Sequence, residues 1–480
     1  MTQPDDGPGA MSGPAAAKMA ASFAHALDAL RDPYFPASPP RIAVALSGGL
    51  DSMVLLQLAA GYARARGLAL FAFHVHHGLS PNADAWGAHC AAAALACGAG
   101  FDQRAVTVDK GRNGIEAAAR KLRYAALGEM CRLHGADLLL TAHHLDDQAE
   151  TVLLQLLRGS GAAGLSGMDA VNRAPGLLGD AQLVMARPLL AQARAALEAV
   201  ASEAGIDWVE DESNSDTRYA RNALRHEVMP VLARAFPGFE QRIVRSSVHV
   251  QSAQRLLDEL AAQDLAACLD GDGVDLARLR VLSIDRVNNL LRHWFAVRGL
   301  AMPSTALLAE VVAQVLTARE DAQPLVAHPD CEVRRHRDRL YLVPRRAELA
   351  GMRDPDDIGV IEKYAQAFRW NGEGSIDFPD YGGTLYFDAA QHGFDADWLR
   401  AQALEIDFRK GGERLKLAAN RPRRSLKQLF QASGVPAWER SRLPIVGNGL
   451  ALLFAAGLGM DCQHTGDGAG RIALRWQATS

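Results

Sequence analysis

Six consecutive residues near position 50 combine groups that suit a phosphate with a group that suits a metal ion. An apolar run and an amphipathic run are separated by Ser47, Gly48, Gly49, Leu50, Asp51 and Ser52. Paired glycines let the backbone approach a ligand closely, and the N–H groups that begin the next helix attract an anion. Because a bare carboxylate repels phosphate, Asp51 predicts a Mg²⁺ ion between the two. A tight turn capped by serine is the alternative interpretation.

A second group of residues could bind an amine and remove its proton. His143, Asp147 and Glu150 are spaced i, i+4 and i+7, which places them within roughly 60° of one another on a helix. Two carboxylates beside an imidazole predict a pocket that holds an ammonium group and takes its proton when the amine must attack. A solvated helix face is the alternative, and a zinc site is disfavoured because H-E-x-x-H and thiolates are missing.

Histidines also end the second apolar run, in the segment FHVHHGL. His74, His76 and His77 fall at the carboxyl end of a predicted strand, where a nucleotide binds in open parallel sheets. No carboxylate or thiol stands beside them at ligand spacing, so the pattern disfavours zinc. Filling of polar positions at a strand end is the other explanation.

Basic side chains recur at three places that could contact phosphate. In IEAAARKLRY, Glu116 and Arg120 have the spacing of a helix salt bridge, and Arg123 follows one turn later. Arg221 and Arg225 share a predicted helix face and could neutralise phosphate. Residues 405–445 hold ten basic and four acidic residues in a chain of net charge −4. Such a patch is what binding of an RNA backbone needs, and a solvated face, the commoner origin of a basic run, is the alternative. The basic residues singled out there are Arg421, Arg423, Arg424 and Lys427, with Phe430, Pro436 and Trp438 as candidates for stacking on bases.

The elements that must position these groups alternate between strand and helix from residue 41 to about 157. RIAVAL, LALFAFHV, FDQRAVTV and ADLLLTAHH are predicted strands, and an amphipathic helix follows each of them. This alternation predicts an α/β fold with a doubly wound parallel sheet. Helices dominate from about 230 to 317, and two short strands follow in CEVRRHRDRLYLV. The last part of the chain is typical of a small α/β module.

Five regions are predicted from these patterns. They are a flexible tail with an Ala-rich helix (1–38), a catalytic domain (39–229), a mainly helical domain (230–345), a linker or irregular region (346–400) and a basic C-terminal domain (401–480). Six cysteines without a C-x-x-C pair argue against a disulfide framework and fit a reduced cytoplasm. No apolar stretch reaches the roughly 20 residues of a membrane span, and the acidic N-terminus lacks the features of a signal peptide.

The hexapeptide at 47–52 resembles the pyrophosphate loop, or PP-loop, of the N-type ATP pyrophosphatases. Other segments resemble one branch of that superfamily, the tRNA(Ile)-lysidine synthetases. They are HHGL at 76–79, E-x-x-x-R-x-x-R-Y from Glu116, TAHHLDDQAETVLLQLLRGSG at 141–161, RPLL at 187–190 and N-x-D-x-x-Y-x-R-N-x-x-R from Asn214. RKGGER and KQLFQASGVPAWERSRLP resemble the C-terminal domain of that family. The match departs at His76, where the family usually has Asp.

This resemblance implies a two-step reaction that uses ATP and Mg²⁺. ATP would bind on the PP-loop with His77 nearby, and Asp51 would hold the metal ion. The C2 carbonyl oxygen of the wobble cytidine in a CAU-anticodon isoleucine tRNA would attack the α-phosphate. The ε-amine of free lysine would then displace AMP and form lysidine. The implied lysine-binding or catalytic residues are Arg123, His143, Asp147 and Glu150, and the implied tRNA contacts are Arg221, Arg225 and the C-terminal basic residues. The resemblance also implies that 39–229 is the ATP-pyrophosphatase domain and that the domains at 230–345 and 401–480 bind tRNA.

Three other functions stay open at this point. A tRNA cytidine thiolase of the same superfamily would need a cluster-ligating set of cysteines, which this chain lacks. A nucleotide- and RNA-binding module without catalysis would have no need of Asp51, Asp147 and Glu150. An amide-forming pyrophosphatase would need a glutaminase partner or domain. The sequence does not decide between a monomer and a homodimer.

Overall fold

The computed structural model describes residues 13–36, 39–76, 82–107, 115–210, 216–316, 324–345 and 365–478. Two compact units, 1–264 and 265–480, make up the chain. The first unit contains the predicted alternation of strands and helices, and the second contains antiparallel sheets and shorter helices. No helix in the described part of the chain is long and apolar enough to cross a membrane. The expected flexible tail lies largely outside the described residues.

A six-stranded sheet organises the first unit and has the doubly wound form predicted from the sequence. Its strands are β1 (Ile42–Ala45), β2 (Leu70–His76), β3 (Gly100–Ala105), β4 (Leu138–Leu140), β5 (Val171–Arg173) and β6 (Val184–Ala186). They lie in the order β3-β2-β1-β4-β6-β5, with β5 alone antiparallel to its neighbour among these six. The order reverses between β1 and β4, which opens a crevice at the carboxyl ends of these two strands.

Helices cover both faces of this sheet because its strands are apolar on both sides. Ile42 and Val44 of β1 belong to one core, whereas Ala43 between them belongs to the opposite core. Eleven labelled helices accompany the described strands: α1 (Pro14–Arg31), α2 (Leu50–Arg66), α3 (Ala83–Ala96), α4 (Ile115–His134), α5 (Leu145–Leu157), α6 (Ala162–Leu165), α7 (Pro175–Leu178), α8 (Arg194–Ala204), α9 (Ala220–Ala223), α10 (Met229–Ala235) and α11 (Phe239–Cys268). A π-helical turn, Leu224–Val228, joins α9 to α10.

Helix α1 is part of this core, although the sequence analysis grouped it with a tail. Its apolar face buries Met19, Phe23 and Leu27 in the same cluster as residues of α2 and α8. An amphipathic helix must bury its apolar stripe against another element, and this stripe does so on the catalytic unit. The predicted boundary at residue 38 is therefore wrong for this helix.

The first part of the second unit combines helices with an antiparallel sheet. Its strands are β7 (Leu269–Asp270), β8 (Gly273–Asp275), β9 (Leu325–Ala327), β10 (Cys331–His336) and β11 (Arg339–Pro344), in the order β7-β8-β11-β10-β9. The helices are α12 (Leu276–Val281), α13 (Ile284–Val297) and α14 (Thr305–Val311), followed by a π-helical turn at Val312–Leu316. The hairpin of β10 and β11 coincides with the two strands predicted in CEVRRHRDRLYLV.

The C-terminal part is richer in strands than the predicted α/β module. Its strands are β12 (Gln366–Phe368), β13 (Ser375–Phe378), β14 (Gly383–Asp395), β15 (Leu404–Phe408), β16 (Arg414–Leu415), β17 (Arg424–Ser425), β18 (Pro444–Gly447), β19 (Leu452–Ala455), β20 (Gly459–Met460) and β21 (Thr465–Ala478). The helices are α15 (Ala396–Arg400), α16 (Leu426–Ala432) and α17 (Ala437–Arg440), with a 3₁₀ turn at Pro379–Tyr381.

The predicted linker at 346–400 is wrong for its described part, 365–400. Strand β12 pairs with β15, and β14 pairs along β21 near the C-terminus. These ladders join residues predicted to be irregular to the C-terminal domain. Local sequence gave little sign of this pairing, because each strand meets its partner only after a long chain excursion. Residues 346–364 lie outside the described residues.

Replacing Leu27 with alanine tests whether α1 is a structural layer of the first unit. Leu27 is 0% exposed, so Leu27→Ala should leave a cavity and lower the free energy of unfolding by about 3 kcal/mol. Leu95→Ala is the matched control, because Leu95 is 80% exposed on α3. Urea unfolding of the full chain measures the free energy of unfolding of both variants. Equally small losses in the two variants would contradict the packing of α1 in the core.

Candidate active site

The reversal of strand order brings two helix starts together at one end of the sheet. Helix α2 begins at Leu50 directly after β1, and α5 begins at Leu145 after β4. These two strands are hydrogen-bonded neighbours. Ligands of open α/β sheets bind in the crevice at such a point. The PP-loop at 47–52 and the segment carrying Asp147 and Glu150 therefore border the same crevice.

Ser52 holds the PP-loop in shape from inside. Its Oγ accepts the backbone N–H groups of Ser47 at 3.2 Å and Gly48 at 3.1 Å, and it donates to the carbonyl oxygen of Gly49 at 2.9 Å. The Ser47 hydroxyl lies 3.1 Å from the same oxygen. Ser52 is buried, so the structure gives it a role in shaping the loop, whereas the sequence analysis counted it among the ATP contacts.

Gly48 needs both the conformational freedom and the small size of glycine. Its φ of 89° lies in the left-handed region. A Cβ at this position would lie 2.9 Å from Cγ2 of Val209 and 3.2 Å from Sγ of Cys90. The N–H of Val209 donates to the Gly48 carbonyl oxygen at 3.0 Å. The backbone at Val209 therefore braces the loop from behind.

Asp51 presents an oxygen that suits a hard cation. Its Oδ1 is buried and has no hydrogen-bond partner among the described residues, whereas Oδ2 lies 3.6 Å from Nε2 of His144. Buried polar atoms without partners are rare in folded proteins and point to an ion or a ligand group. Mg²⁺ is commonly held by one or two carboxylates together with substrate phosphates, which this single carboxylate at the PP-loop fits.

His144 connects the loop to α5. It is the N-cap of α5, and its backbone N–H donates to Oδ2 of Asp147 at 3.2 Å. Its Nε2 lies 3.3 Å from the same Oδ2. Burial alone would lower the pKa of this imidazole, but the carboxylates of Asp146, Asp51 and Asp147 outweigh burial and raise the pKa to about 9. The Asp147 N–H reaches Nδ1 only at 3.4 Å, a contact that is lost when Nδ1 is protonated. His144 is therefore a cation at neutral pH.

Asp147 and Glu150 are paired with two arginines. Oδ1 of Asp147 accepts Nη2 of Arg221 at 2.8 Å and Nη2 of Arg225 at 3.1 Å. Oε2 of Glu150 accepts Nε of Arg221 and Nη2 of Arg225, both at 2.9 Å, and Oε1 accepts Nε of Arg225 at 2.6 Å. The Glu150 side chain is 2% exposed. We call these four residues the carboxylate–arginine cluster.

The two helical segments of this cluster are held together by apolar contacts beneath it. Ala149 of α5 packs in one buried group with Leu224 and Met229, and Leu153 and Leu154 pack against that group. Asp147 and Glu150 lie about one turn apart on α5, and this packing holds Arg221 and Arg225 where each contacts both carboxylates. Burial raises the pKa of Asp147, but the positive charges of His144 and Arg221 outweigh it, so the pKa lies below its usual value.

The sequence predicted that Arg221 and Arg225 share a helix face and neutralise phosphate, whereas in this structure both are paired with carboxylates. Both guanidinium groups are committed to carboxylates, because a buried carboxylate without a partner costs several kcal/mol. Asp147 and Glu150 in turn do not present open oxygens to an ammonium group in this state. The four residues were all singled out from the sequence, but their pairing with one another was not.

His143 stands beside the cluster as a neutral imidazole. Its Nδ1 lies 2.9 Å from Oγ1 of Thr141. Burial lowers its pKa to about 3; Asp147 opposes that effect, and the charges of Arg187 and Arg120 add to it. Arg123, the arginine chosen from the sequence, has its guanidinium carbon 5.5 Å from the ring centre of Tyr124.

Four residues that position this site were missed in the sequence analysis as site residues. His144, Asp146, Arg187 and Val209 surround the groups described above. An N-cap position directly before an acidic first turn is a recognisable signal for His144. Arg187 is buried, and it donates to the carbonyl oxygen of Asp169 at 2.6 Å and to Oδ1 of Asn172 at 2.9 Å. No local sequence pattern predicts that Arg187 is buried.

His74 and His76, the described histidines of β2, make contacts within the protein. Nδ1–H of His74 donates to the carbonyl oxygen of Leu46 at 2.9 Å, which ties β2 to the residue before the PP-loop. Nε2 of His76 lies 3.1 Å from Asp84. His77, predicted to contact ATP, lies outside the described residues. Within the described chain, no group of three or more histidine, cysteine or acidic side chains has the arrangement of a metal site.

The C-terminal basic residues are exposed, but the aromatic residues among them are packed. Arg421, Arg423, Arg424 and Lys427 all lie on the surface around the start of α16. Phe430 is fully buried in a local core. Trp438 packs edge-on against His336 and Tyr341 of the β10–β11 hairpin, with ring centres 5.8 and 5.7 Å apart. These two aromatic rings therefore stabilise the second unit, so the expectation that they stack on bases is wrong for this state.

Adding a methyl group at Gly48 should disable the PP-loop. Gly48→Ala combines strain of about 1–3 kcal/mol with a contact of 2.9 Å to Val209, and we expect ATP affinity to fall about tenfold or more. Gly61→Ala in α2 is the control, since a Cβ there meets nothing within 4 Å. Nucleotide titration by calorimetry measures both, and unchanged affinity in Gly48→Ala would contradict the assigned geometry.

Comparisons with known proteins agree with this arrangement. A family model described as PP-loop domain matches residues 19–232, one described as TilS substrate binding domain matches 274–341, and one described as TilS substrate C-terminal domain matches 404–476. The tRNA(Ile)-lysidine synthase of Ralstonia nicotianae is 44% identical over 90% of this chain and 91% of its own length. That of Burkholderia pseudomallei is 44% identical over 89% and 90%.

A relative of slightly lower identity has similar coverage. The tRNA(Ile)-lysidine synthase of Alkalilimnicola ehrlichii is 42% identical over 87% of this chain and 89% of its own length. Each relative therefore matches both units and the PP-loop domain that uses ATP. The chain belongs to the tRNA(Ile)-lysidine synthase family of ATP-dependent enzymes.

Proposed function

We propose that this chain joins free lysine to C2 of the wobble cytidine in CAU-anticodon isoleucine tRNA, with ATP as the activating substrate. The observation that carries the proposal is the juxtaposition of two half-sites across the crevice. His144 lies 3.6 Å from Asp51 on the PP-loop side and 3.3 Å from Asp147 on the other. C2 of the cytidine can therefore be activated by ATP on the PP-loop side and then be attacked by the lysine amine on the other side, without leaving the crevice.

The PP-loop side serves the first step. The backbone N–H groups at the start of α2 hold the departing pyrophosphate, and Oδ1 of Asp51 would hold Mg²⁺. The ion would neutralise charge that develops on the phosphate oxygens. The C2 carbonyl oxygen of cytidine attacks the α-phosphorus, the bond to the β-phosphate oxygen breaks, and pyrophosphate leaves. The oxygen on C2 thereby becomes part of a good leaving group.

The carboxylate–arginine cluster serves the second step. The ε-amine of lysine forms a bond to C2, the bond from C2 to the phosphate-bearing oxygen breaks, and AMP leaves with that oxygen. Lysine must first lose a proton, and Asp147 or Glu150 would take it once an arginine has released the carboxylate. Neutral His143 donates or accepts a hydrogen bond beside them without adding charge. We keep Arg123 as a candidate contact for lysine or phosphate.

The C-terminal basic residues are proposed to bind the tRNA backbone. Their exposure and clustered charge support this, since phosphate neutralisation supplies much of the affinity for RNA. Mg²⁺ use, the lysine substrate and the role of these residues are all parts of the proposal. Cytoplasmic location and the choice between monomer and homodimer stay predictions from the sequence.

Incorporation of labelled lysine tests the proposed reaction. Purified full-length protein with ATP and Mg²⁺ should transfer label to unmodified CAU isoleucine tRNA and not to methionine tRNA. Asp147→Ala should keep pyrophosphate release but lose lysine incorporation by about 100-fold or more, since it lacks a base. Asp32→Ala is the control, because Asp32 is an exposed residue at the end of α1. Label on both tRNAs, or none with folded wild-type protein, would contradict the proposal.

Neutralising one basic residue tests the tRNA contact. Arg423 and Arg400 are comparable, because their side chains are 42% and 48% exposed and lie 3.7 and 2.7 Å from a carboxylate. Arg423→Gln should weaken tRNA binding by about fivefold and make it less salt-dependent, whereas Arg400→Gln should not, because Arg400 lies outside the segments matched by the two TilS domain models. Filter binding over a range of salt concentrations measures this. Equal tRNA affinity and equal salt dependence of the two variants would contradict a tRNA contact of the C-terminal basic residues.

A further inference from the structure

We propose that Arg221 and Arg225 compete internally with lysine, closing its pocket until phosphate groups withdraw them. In this scheme the described structure is the closed state of the site. Lysine gains access to Asp147 and Glu150 after ATP and tRNA are bound. The inference rests on the proposed function, because it takes lysine as the ligand of these carboxylates.

The contacts of the closed state leave no vacancy for an ammonium group. Oδ1 of Asp147 and both oxygens of Glu150 accept arginine N–H groups at 2.6–3.1 Å. The remaining oxygen, Oδ2 of Asp147, faces the backbone N–H and the ring of His144 at 3.2 and 3.3 Å. A lysine ammonium can enter only if at least one arginine leaves.

Charge balance explains why departure of the arginines would draw lysine in. The cluster pairs two carboxylates with two guanidinium groups and so has no net charge. Removing a guanidinium leaves a buried carboxylate uncompensated, which costs several kcal/mol unless another cation replaces it. The lysine ammonium is such a cation. Lysine affinity should therefore be low while the arginines are in place and high once they have left.

The arginines are placed to exchange partners. Their side chains are 29% and 26% exposed, whereas Glu150 beneath them is 2% exposed, so they approach the carboxylates from the solvent side. A guanidinium fork fits a phosphate as well as it fits a carboxylate. ATP and the tRNA backbone bring several phosphate charges to the crevice. These charges compete with Asp147 and Glu150 for the same donors.

The backbone that carries Arg225 also suits a change of state. Arg225 lies on the π-helical turn Leu224–Val228, a type of turn that often marks a functional site.

Linkage fixes what the scheme must show in solution. If phosphate ligands withdraw the arginines, they raise lysine affinity, and lysine raises theirs by the same factor. We measure lysine binding to the full chain by calorimetry, alone and with tRNA, Mg²⁺ and an ATP analogue whose α,β-bridge is methylene. The wild-type protein should bind lysine about tenfold tighter in the second condition. Equal lysine affinity in the two conditions overturns the proposal without any variant.

A pair of substitutions tests the competitors themselves. Arg221→Gln with Arg225→Gln should bind lysine about tenfold tighter than wild type in the absence of nucleotide, because the carboxylates then lack their cations. Arg218→Gln is the matched control, since this exposed arginine pairs with Asp216 and not with the cluster. Circular dichroism verifies folding, and Arg221→Gln alone, which should bind lysine more tightly than wild type for the same reason, serves if the double variant does not fold.

The outcomes separate this inference from the proposed function. One outcome is incorporation of lysine into tRNA with a lysine affinity that changes neither with nucleotide nor with the arginine substitutions. That result overturns the competition and leaves the proposed reaction intact. Absence of lysine binding in every condition, together with absence of incorporation, overturns both. Tighter lysine binding by the double arginine variant, with wild-type affinity in Arg218→Gln, supports the competition.

Discussion

Four carboxylates converge at one end of the sheet, and their repulsion must be neutralised before the site can form. Asp51 follows β1, and Asp146, Asp147 and Glu150 lie on the first turns of α5. Three cationic groups meet them: His144 between the two helix starts, and Arg221 and Arg225 above α5. In a partly buried crevice such compensation is a condition of folding. The same groups are the ones that substrates must engage.

The doubly wound sheet explains why these charges meet. Strands β1 and β4 are neighbours although about ninety residues separate them in sequence. Each is apolar on both faces, so helices must cover both sides, and the carboxyl ends of the strands are left as the open edge. Apolar packing of Leu224 and Met229 against α5 then sets the two arginines over the carboxylates. Stability and reactivity thus depend on one set of contacts.

Local patterns in the sequence were sufficient for much of this account. The alternation of apolar runs predicted the strands of the parallel sheet, and the residue types at 47–52 predicted a phosphate-binding loop. The spacing of Asp147 and Glu150 placed both on one face of a helix, but the same prediction was wrong for His143, which precedes the N-cap His144 and lies outside α5. These features depend on residues within a few positions of one another, where periodicity and helix geometry are informative.

Contacts between distant residues could not be predicted in the same way. Arg221 and Glu150 are 71 positions apart, so nothing local reveals that the arginine neutralises a carboxylate rather than a phosphate. The pairing of β14 with β21 and the packing of Trp438 on the β10–β11 hairpin have the same origin. The docking of α1 could not be predicted either, because the core on which it packs is formed by residues of α2 and α8, far from α1 in sequence. In each case the deciding energy is burial or charge compensation between elements.

The central claim is that one crevice first activates cytidine and then delivers it to lysine. Trapping the activated tRNA tests this most directly. ATP labelled at the α-phosphate is incubated with the full-length protein, Mg²⁺ and CAU isoleucine tRNA without lysine, and unlabelled lysine is then added. The account predicts label on the tRNA before lysine and its release as AMP afterwards. Label that never reaches the tRNA, or that stays there after lysine is added, would contradict it.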